Sequence, residues 1–175
     1  RLHKLAVFAD ETNLNYFEWN DSKIGIISSG VAYQYAKEVF GDKASYLKLG
    51  FTYPLPAKKI REFAAQVETL YIIEELEPYL EEQIRQMGIS CIGKEKIPNM
   101  YELNPDIVAK ALLNEEKPLI QYDTSLVVNR PPVLCAGCPH RGFFYELSKK
   151  KNVVMAGDIG CYALGGAEPL NAKDM

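Results

Sequence analysis

Alternation of short apolar runs with segments of helical period most restricts what this 175-residue chain can fold into. Residues 24–27, 44–51 and 69–73 are apolar and partly β-branched, which is typical of buried strands. The segments between them place apolar residues three or four positions apart, which is typical of helices. This order predicts βαβ units, and therefore an α/β fold with a mainly parallel sheet and flanking helices.

Each predicted strand is followed by a predicted helix. The apolar positions of the three helices are Val31, Ala32, Tyr35, Ala36, Val39 and Phe40, then Ile60, Phe63, Ala64 and Val67, then Leu76, Leu80, Ile84 and Met87. We expect Gly88 to end the third helix in a left-handed conformation and residues 89–92 to form a fourth strand. Asn104 and Pro105 predict a further helix that runs to about Leu113, because Asn caps free amides and Pro suits the first turn.

Four segments follow from this pattern. We expect an N-terminal linker over residues 1–20, a middle domain over 21–115, a linker over 116–132 and a second α/β domain that begins at 133. The second linker is assigned because it has neither strand nor helix period. The chain starts at Arg1 without an initiator Met, so we expect an internal piece of a longer protein in which the domain at 133–175 is truncated.

Within the second domain, a helix and a strand are predicted. Phe143, Phe144 and Leu147 have helical spacing, and residues 153–156 are apolar enough for a buried strand. The sequence Gly157-Asp158-Ile159-Gly160-Cys161 would follow directly after the carboxyl end of that strand. A functional turn is therefore expected there.

Composition excludes several classes of protein. Hydrophobic residues make up 47% and charged residues 25%, a balance that predicts a folded globular chain. The net charge of -3 gives no attraction to nucleic acid phosphates, and no apolar run approaches the roughly 20 residues that cross a bilayer. The four cysteines are too sparse for a secreted disulfide framework, so we expect a reducing cytoplasm. An acidic cluster is interpreted as a solvated helix face, with no functional role; its members are Glu74, Glu75, Glu77, Glu81 and Glu82.

Residues 130–142 are the most informative segment, since they place two thiols, an imidazole and a guanidinium in a Gly/Pro-rich loop. A Cys-x-x-Cys pair supports metal ligation, thiol redox exchange or the shaping of a cofactor pocket, and plain packing is a fourth interpretation. Haem attachment is disfavoured because Pro139 stands where the haem motif needs His. The types and number of ligands for zinc are present in Cys135, Cys138, His140 and Cys161, although His140 is unusually close to Cys138.

Residues 135–142, together with 157–165, resemble the opening of the thiamine-diphosphate-binding domain of the 2-oxoacid ferredoxin oxidoreductase family. The Cys-Pro-His-Arg-Gly sequence at 138–142 is similar to that of its indolepyruvate-type members. Ala136 and Ala163 depart from the Pro and Thr that are usual in the family, but neither change removes a functional group. Residues 25–30 and 47–56 resemble the middle domain of the same subunit, which is like the transketolase carboxyl-terminal domain.

The resemblance implies that both turns lie beside the thiazolium or diphosphate of the cofactor. The residues that it places there are Cys135, Gly137, Cys138, His140, Asp158, Gly160 and Cys161. His140 is the candidate catalytic residue. Glycines at such turns let a backbone approach a diphosphate closely.

The same resemblance implies that the full enzyme oxidatively decarboxylates arylpyruvates such as indolepyruvate to arylacetyl-coenzyme A. Ferredoxin would accept the electrons through [4Fe-4S] clusters, and a smaller beta subunit would complete the enzyme. The Mg²⁺ ligands, the glutamate that activates the cofactor and the cluster cysteines are expected outside residues 1–175. We therefore expect this piece to bind no cofactor and to be inactive when isolated. A preference for another 2-oxoacid, such as pyruvate or a branched-chain acid, is the nearest alternative.

Overall fold

The computed structural model describes residues 1–20, 23–118, 120–121 and 123–174, in two compact units, Arg1–Leu119 and Ile120–Met175. The expected start of the middle domain at Asp21 lies outside the described residues. The elements of the first unit are α1 (Leu2–Glu11), β1 (Asn15–Glu18), β2 (Ile24–Ser29), α2 (Gly30–Phe40), a 3-10 turn (Gly41–Lys43), β3 (Ser45–Leu49), α3 (Ala57–Ala64), β4 (Thr69–Ile73), α4 (Tyr79–Gln86) and α5 (Pro105–Leu113). None of the helices that these ranges contain is long and apolar enough to traverse a bilayer.

The described strands of the first unit form one sheet in the order β1-β3-β2-β4. β2 runs parallel to both of its neighbours, so that Ile26 is paired with Tyr46 on one side and with Tyr71 on the other. β1 runs antiparallel to β3 at the edge, with Tyr16 opposite Lys48. The predicted α/β class with a mainly parallel sheet and flanking helices is confirmed.

Side-chain alternation along the strands builds a core on each face of the sheet. Ile26 of β2 and Ile73 of β4 pack against α2 and α5, while Ile27 and Ile72 pack against α3 and α4. All four side chains are almost fully buried. Helices on both faces explain why the strands have continuous apolar runs rather than alternating ones.

The helix predictions are confirmed in position, with differences at the ends. α5 begins where the sequence predicts, since the Asn104 side chain accepts a hydrogen bond of 2.9 Å from the Ile107 amide. α4 begins at Tyr79 instead of near Leu76, because Pro78 disfavours helical geometry in the residue before it. Leu76 consequently lies outside the helix, with a left-handed φ of 53° and an exposed side chain.

Residues 1–20 are not a linker in this structure, since they contain α1 and the edge strand β1. Asp10 at the end of α1 accepts a 3.0 Å hydrogen bond from the Lys58 amide at the start of α3. The Lys59 ammonium donates to the carbonyls of Thr12 and Asn15. The expectation failed because the contacts that hold this segment join residues distant in sequence, including the stacking of Phe17 on Phe63 at 6.1 Å between ring centroids.

The strand expected at residues 89–92 is reduced to an isolated bridge between Ile92 and Tyr71. The Ile92 amide donates to Leu70 and its carbonyl accepts from Ile72, both at 2.9 Å. The chain then turns, because the amides of Lys96 and Ile97 both donate to the Gly93 carbonyl. The segment was correctly placed beside β4 but is too short for a strand.

Two members of the acidic cluster are buried, so the solvated-face interpretation is wrong for Glu74 and Glu81. The Glu74 carboxylate accepts the amides of Leu80 and Glu81 at 2.7 and 3.0 Å and thereby caps the start of α4. Glu81 accepts the Lys94 amide and pairs with Arg85 at 2.8 Å. Both carboxylates have structural partners, which explains their burial despite their charge.

Burial raises the pKa of Glu74 above its ordinary value of 4.5, although the two amides oppose the shift. A raised pKa means that the folded state holds this proton more tightly than the unfolded state. We therefore expect the contribution of Glu74 to the free energy of unfolding to be greatest below pH 4.5 and to decline as the pH rises through its folded pKa. Denaturant titrations of the wild type and of Glu74→Gln between pH 4 and 8 measure this contribution as the difference between the two free energies of unfolding. A difference that grows with pH contradicts the prediction.

The second unit contains α6 (Pro139–Ser148), α7 (Cys161–Leu164) and a 3-10 turn at Thr124–Leu126, and its described residues include no strand. The strand expected at 153–156 is therefore not observed. Met155 instead exchanges hydrogen bonds of 2.8 Å with Asp174, through the Asp174 carboxylate and amide. A strand requires a ladder of backbone hydrogen bonds, and the single backbone bond from the Asp174 amide to the Met155 carbonyl does not form one.

Candidate functional site

The Cys-x-x-Cys sequence forms a tight turn that leads into α6. The Cys138 amide donates to the Cys135 carbonyl at 3.2 Å, and Gly137 between them has a φ of 71°. A turn with a positive φ at its third residue favours glycine, since other residues are strained there. Cys135 is exposed, whereas Cys138 is half-buried and is the N-cap residue of α6.

Cys138 and His140 lie in contact at the start of α6, with 3.3 Å between the Cys138 Sγ and the His140 Nδ1. Pro139 between them occupies the first helical position, where its missing amide hydrogen costs nothing. The His140 ring is half-buried and is stacked on Phe144, one turn later. A thiol next to an imidazole is an arrangement able to exchange a proton.

The second predicted turn, at residues 157–161, is exposed to solvent. The Asp158 carboxylate accepts the amide of the next residue, Ile159, at 2.7 Å. Gly160 has a φ of 103° and is the N-cap residue of α7, and Cys161 is the first residue of that helix. The α carbons of Gly160 and Gly137 both face open space, since a Cβ added at either would meet no atom within 4 Å. Both backbones are therefore accessible to a ligand.

An aromatic cluster brings the two turns together. The ring of Tyr162, which follows Cys161, lies edge-on to His140 with 5.3 Å between ring centroids and edge-on to Phe144 at 6.1 Å. Gly165 is buried beneath Phe144, where an added Cβ would be 2.6 Å from the ring. Gly165 thus permits close packing of α7 against α6.

Sequence reasoning missed the role of Tyr162 and did not identify the hydrogen-bond partners of Arg141. Tyr162 lies in a helix of four residues, which is too short for any periodic signal. The Arg141 guanidinium donates to the carbonyls of Leu134 and Cys135, at 2.6 and 3.0 Å, a pattern that spacing alone does not reveal. Both residues connect parts of the site rather than adding a new reactive group.

The described residues do not favour the zinc interpretation, because no three His, Cys, Asp or Glu side chains among them are grouped to hold a metal ion. All four cysteines are free. Gly137 and Gly160 leave exposed backbone at the two turns, which a phosphate-bearing cofactor would need in order to approach closely.

Comparison with known proteins gives one consistent result at the level of sequence. The chain is 32% identical over 198 residues to the indolepyruvate oxidoreductase subunit IorA of Methanothermobacter thermautotrophicus, which covers 99% of the chain and 32% of the relative. It is 34% identical over 200 residues to the subunit of the same name from Pyrococcus horikoshii, covering 99% of the chain and 31% of the relative. The chain is related to the IorA subunits. No protein-family model matches it.

The chain spans about a third of the length of the IorA relatives that it matches. A solved 2-oxoglutarate:ferredoxin oxidoreductase from Magnetococcus marinus, with 2-oxoglutarate, coenzyme A and succinyl-CoA bound, matches at a TM-score of 0.49 and 16% identity. That match covers 63% of this chain and 21% of the solved one, and it is too distant to support a functional inference. The comparison that carries weight is therefore the similarity to the IorA subunits.

Proposed function

We propose that this chain is part of a thiamine-diphosphate-dependent oxidoreductase that decarboxylates arylpyruvates, with indolepyruvate as the preferred substrate. Arylacetyl-coenzyme A would be the product and ferredoxin the electron acceptor, with a smaller beta subunit as partner. The observation that carries the proposal is the similarity to IorA subunits over 99% of the chain. The isolated piece would be inactive, because the proposed Mg²⁺ ligands, activating glutamate and [4Fe-4S] ligands are not among its residues.

The geometry of the second unit supports this proposal. The two turns that were expected to share one ligand are joined through the His140–Tyr162 ring contact. Gly137 and Gly160 would let backbone amides approach a diphosphate, and His140 would hold or move a proton near the reacting carbon. The chemistry that thiamine diphosphate would supply when bound is stabilisation of the negative charge left when a 2-oxoacid loses carbon dioxide.

Two alternative functions would each give a different experimental result. A thiol redox protein would use Cys135 and Cys138, which the turn holds close together, and would show a reversible disulfide with a defined potential. Another 2-oxoacid ferredoxin oxidoreductase would share the site but select a different side chain. The cysteine turn is the observation that favours the first of these alternatives, and the IorA similarity outweighs it because it extends over both units.

The test is an anaerobic assay of the natural full-length subunit, co-expressed with its partner subunit, for 2-oxoacid-dependent reduction of ferredoxin. We expect activity to require thiamine diphosphate, Mg²⁺ and coenzyme A, and kcat/KM to be at least about tenfold higher for indolepyruvate than for pyruvate, as differential binding of an aryl group allows. Preferential oxidation of pyruvate would overturn the substrate assignment. Absence of thiamine diphosphate binding with Mg²⁺ would overturn the function itself.

A further inference from the structure

The geometry points to Arg141 as a positioning residue. It holds the Cys-x-x-Cys turn against α6 and thereby fixes the positions of Cys138 and His140. We infer this role in addition to the proposed function, and its link to the cofactor rests on that function. The turn runs from Cys135 to Cys138 and is otherwise closed by one backbone hydrogen bond of 3.2 Å. From the first turn of α6, Arg141 adds two further hydrogen bonds to this segment.

The Arg141 guanidinium binds two consecutive carbonyls, one from the residue before the turn and one from the first residue of the turn. Its Nη2 donates to Leu134 at 2.6 Å, and its Nε donates to Cys135 at 3.0 Å. The Cys135 carbonyl therefore accepts both the Cys138 amide and the guanidinium. Leu134 is buried in the core of the second unit, so the guanidinium joins an anchored residue to the base of the turn.

A guanidinium suits this task better than an ammonium. Its planar fork offers donors in fixed directions, which match two adjacent acceptors, whereas an ammonium is a point charge on a flexible stem. No carboxylate of the described residues pairs with Arg141 within 4.0 Å, and the two hydrogen bonds of its guanidinium go to backbone carbonyls. The role is therefore geometric rather than one of charge neutralisation.

Arg141 also lines a cavity of about 280 Å³ with Tyr145, Leu164 and Glu168. The cavity is large enough for a small guanidinium compound to reach the two carbonyls if the side chain is removed. This makes chemical rescue a specific test, because a role in general packing would not be restored by a soluble guanidinium.

The experiment uses the natural full-length polypeptide with Arg141→Ala, Arg141→Lys and, as a matched control, Arg130→Lys, which alters an exposed arginine of the same unit. Hydrogen exchange of the amides at 135–138 is measured without cofactor, and affinity for thiamine diphosphate with Mg²⁺ is measured separately. We expect exchange to be about tenfold faster in both Arg141 variants and unchanged in the control, since charged hydrogen bonds restrain the turn. We also expect about tenfold weaker cofactor affinity, because displaced contact groups lose binding.

Ethylguanidinium is expected to restore slow exchange in Arg141→Ala, whereas ethylammonium is not. Unchanged exchange at 135–138 in the variants, or equal rescue by both cations, would overturn the inference. The two hypotheses fail differently. If the wild type binds no thiamine diphosphate, the proposed function is wrong, and the exchange measurement still decides the role of Arg141.

Discussion

Replacing Asn15 by Leu is expected to lower the free energy of unfolding of this chain by about 4 kcal/mol. Asn15 is fully buried, and its side-chain amide donates to the carbonyls of Ala9 and Phe51 at 2.9 and 3.0 Å. Its side-chain oxygen accepts the amides of Gly50 and Phe51, both at 2.9 Å. A leucine would remove all four hydrogen bonds, of which the one to the Ala9 carbonyl is buried and the three to Gly50 and Phe51 are partly buried.

Urea titration followed by the fluorescence of Trp19 measures this loss. Trp19 is the single tryptophan of the chain, and its ring lies 5.3 Å from that of Phe17 and 5.1 Å from that of Phe63 within the same unit. Asn13→Leu is the matched control, since Asn13 is exposed, and its effect is expected to stay within about 0.5 kcal/mol. A loss below about 1 kcal/mol for Asn15→Leu would show that the four contacts do not hold β1 in place.

Replacing His140 is expected to reduce kcat/KM of the full enzyme for indolepyruvate by about 100-fold, the usual scale for loss of a proton-transfer group. His140→Phe keeps an aromatic ring for contact with Phe144 and Tyr162 but removes the nitrogen that lies 3.3 Å from the Cys138 sulfur. It therefore separates proton transfer from ring packing. Ferredoxin reduction under anaerobic conditions measures the change, with thiamine diphosphate affinity measured alongside it.

The matched control is His3→Phe, because His3 is the only other histidine of the chain and is exposed on α1. We expect this variant to retain wild-type activity. If His140→Phe keeps activity within about twofold of the wild type, His140 has a structural role and the candidate catalytic assignment is wrong.

Much of the first unit is readable from the sequence, because its elements have local causes. Helix α5 begins at an Asn–Pro pair that caps and starts a helix on its own, and the observed start and end agree with the prediction. β4 agrees at both ends, since a short run of apolar residues between polar ones is sufficient to mark a buried strand. These signals do not depend on the rest of the fold.

Segments held by contacts distant in sequence could not be predicted in this way. β1 depends on Asn15, whose partners Gly50 and Phe51 lie 35 and 36 residues later. Glu74 can be buried because its carboxylate accepts hydrogen bonds from two amides, which are in position only after α4 has formed. In the hydrophobicity pattern of the sequence, polar residues that are buried by such contacts cannot be distinguished from surface residues.

The candidate site divides in the same manner. Cys138 and His140 are close because they lie two residues apart at the start of a helix. Gly137 is required by the positive φ of the turn, so the local sequence decides both features. Tyr162 meets His140, and Arg141 binds Leu134, only because the chain folds back on itself. The sequence alone thus specified the chemical groups and the local turns that carry them. Packing of side chains across the fold decided their relative positions, because those contacts join residues that no local pattern relates.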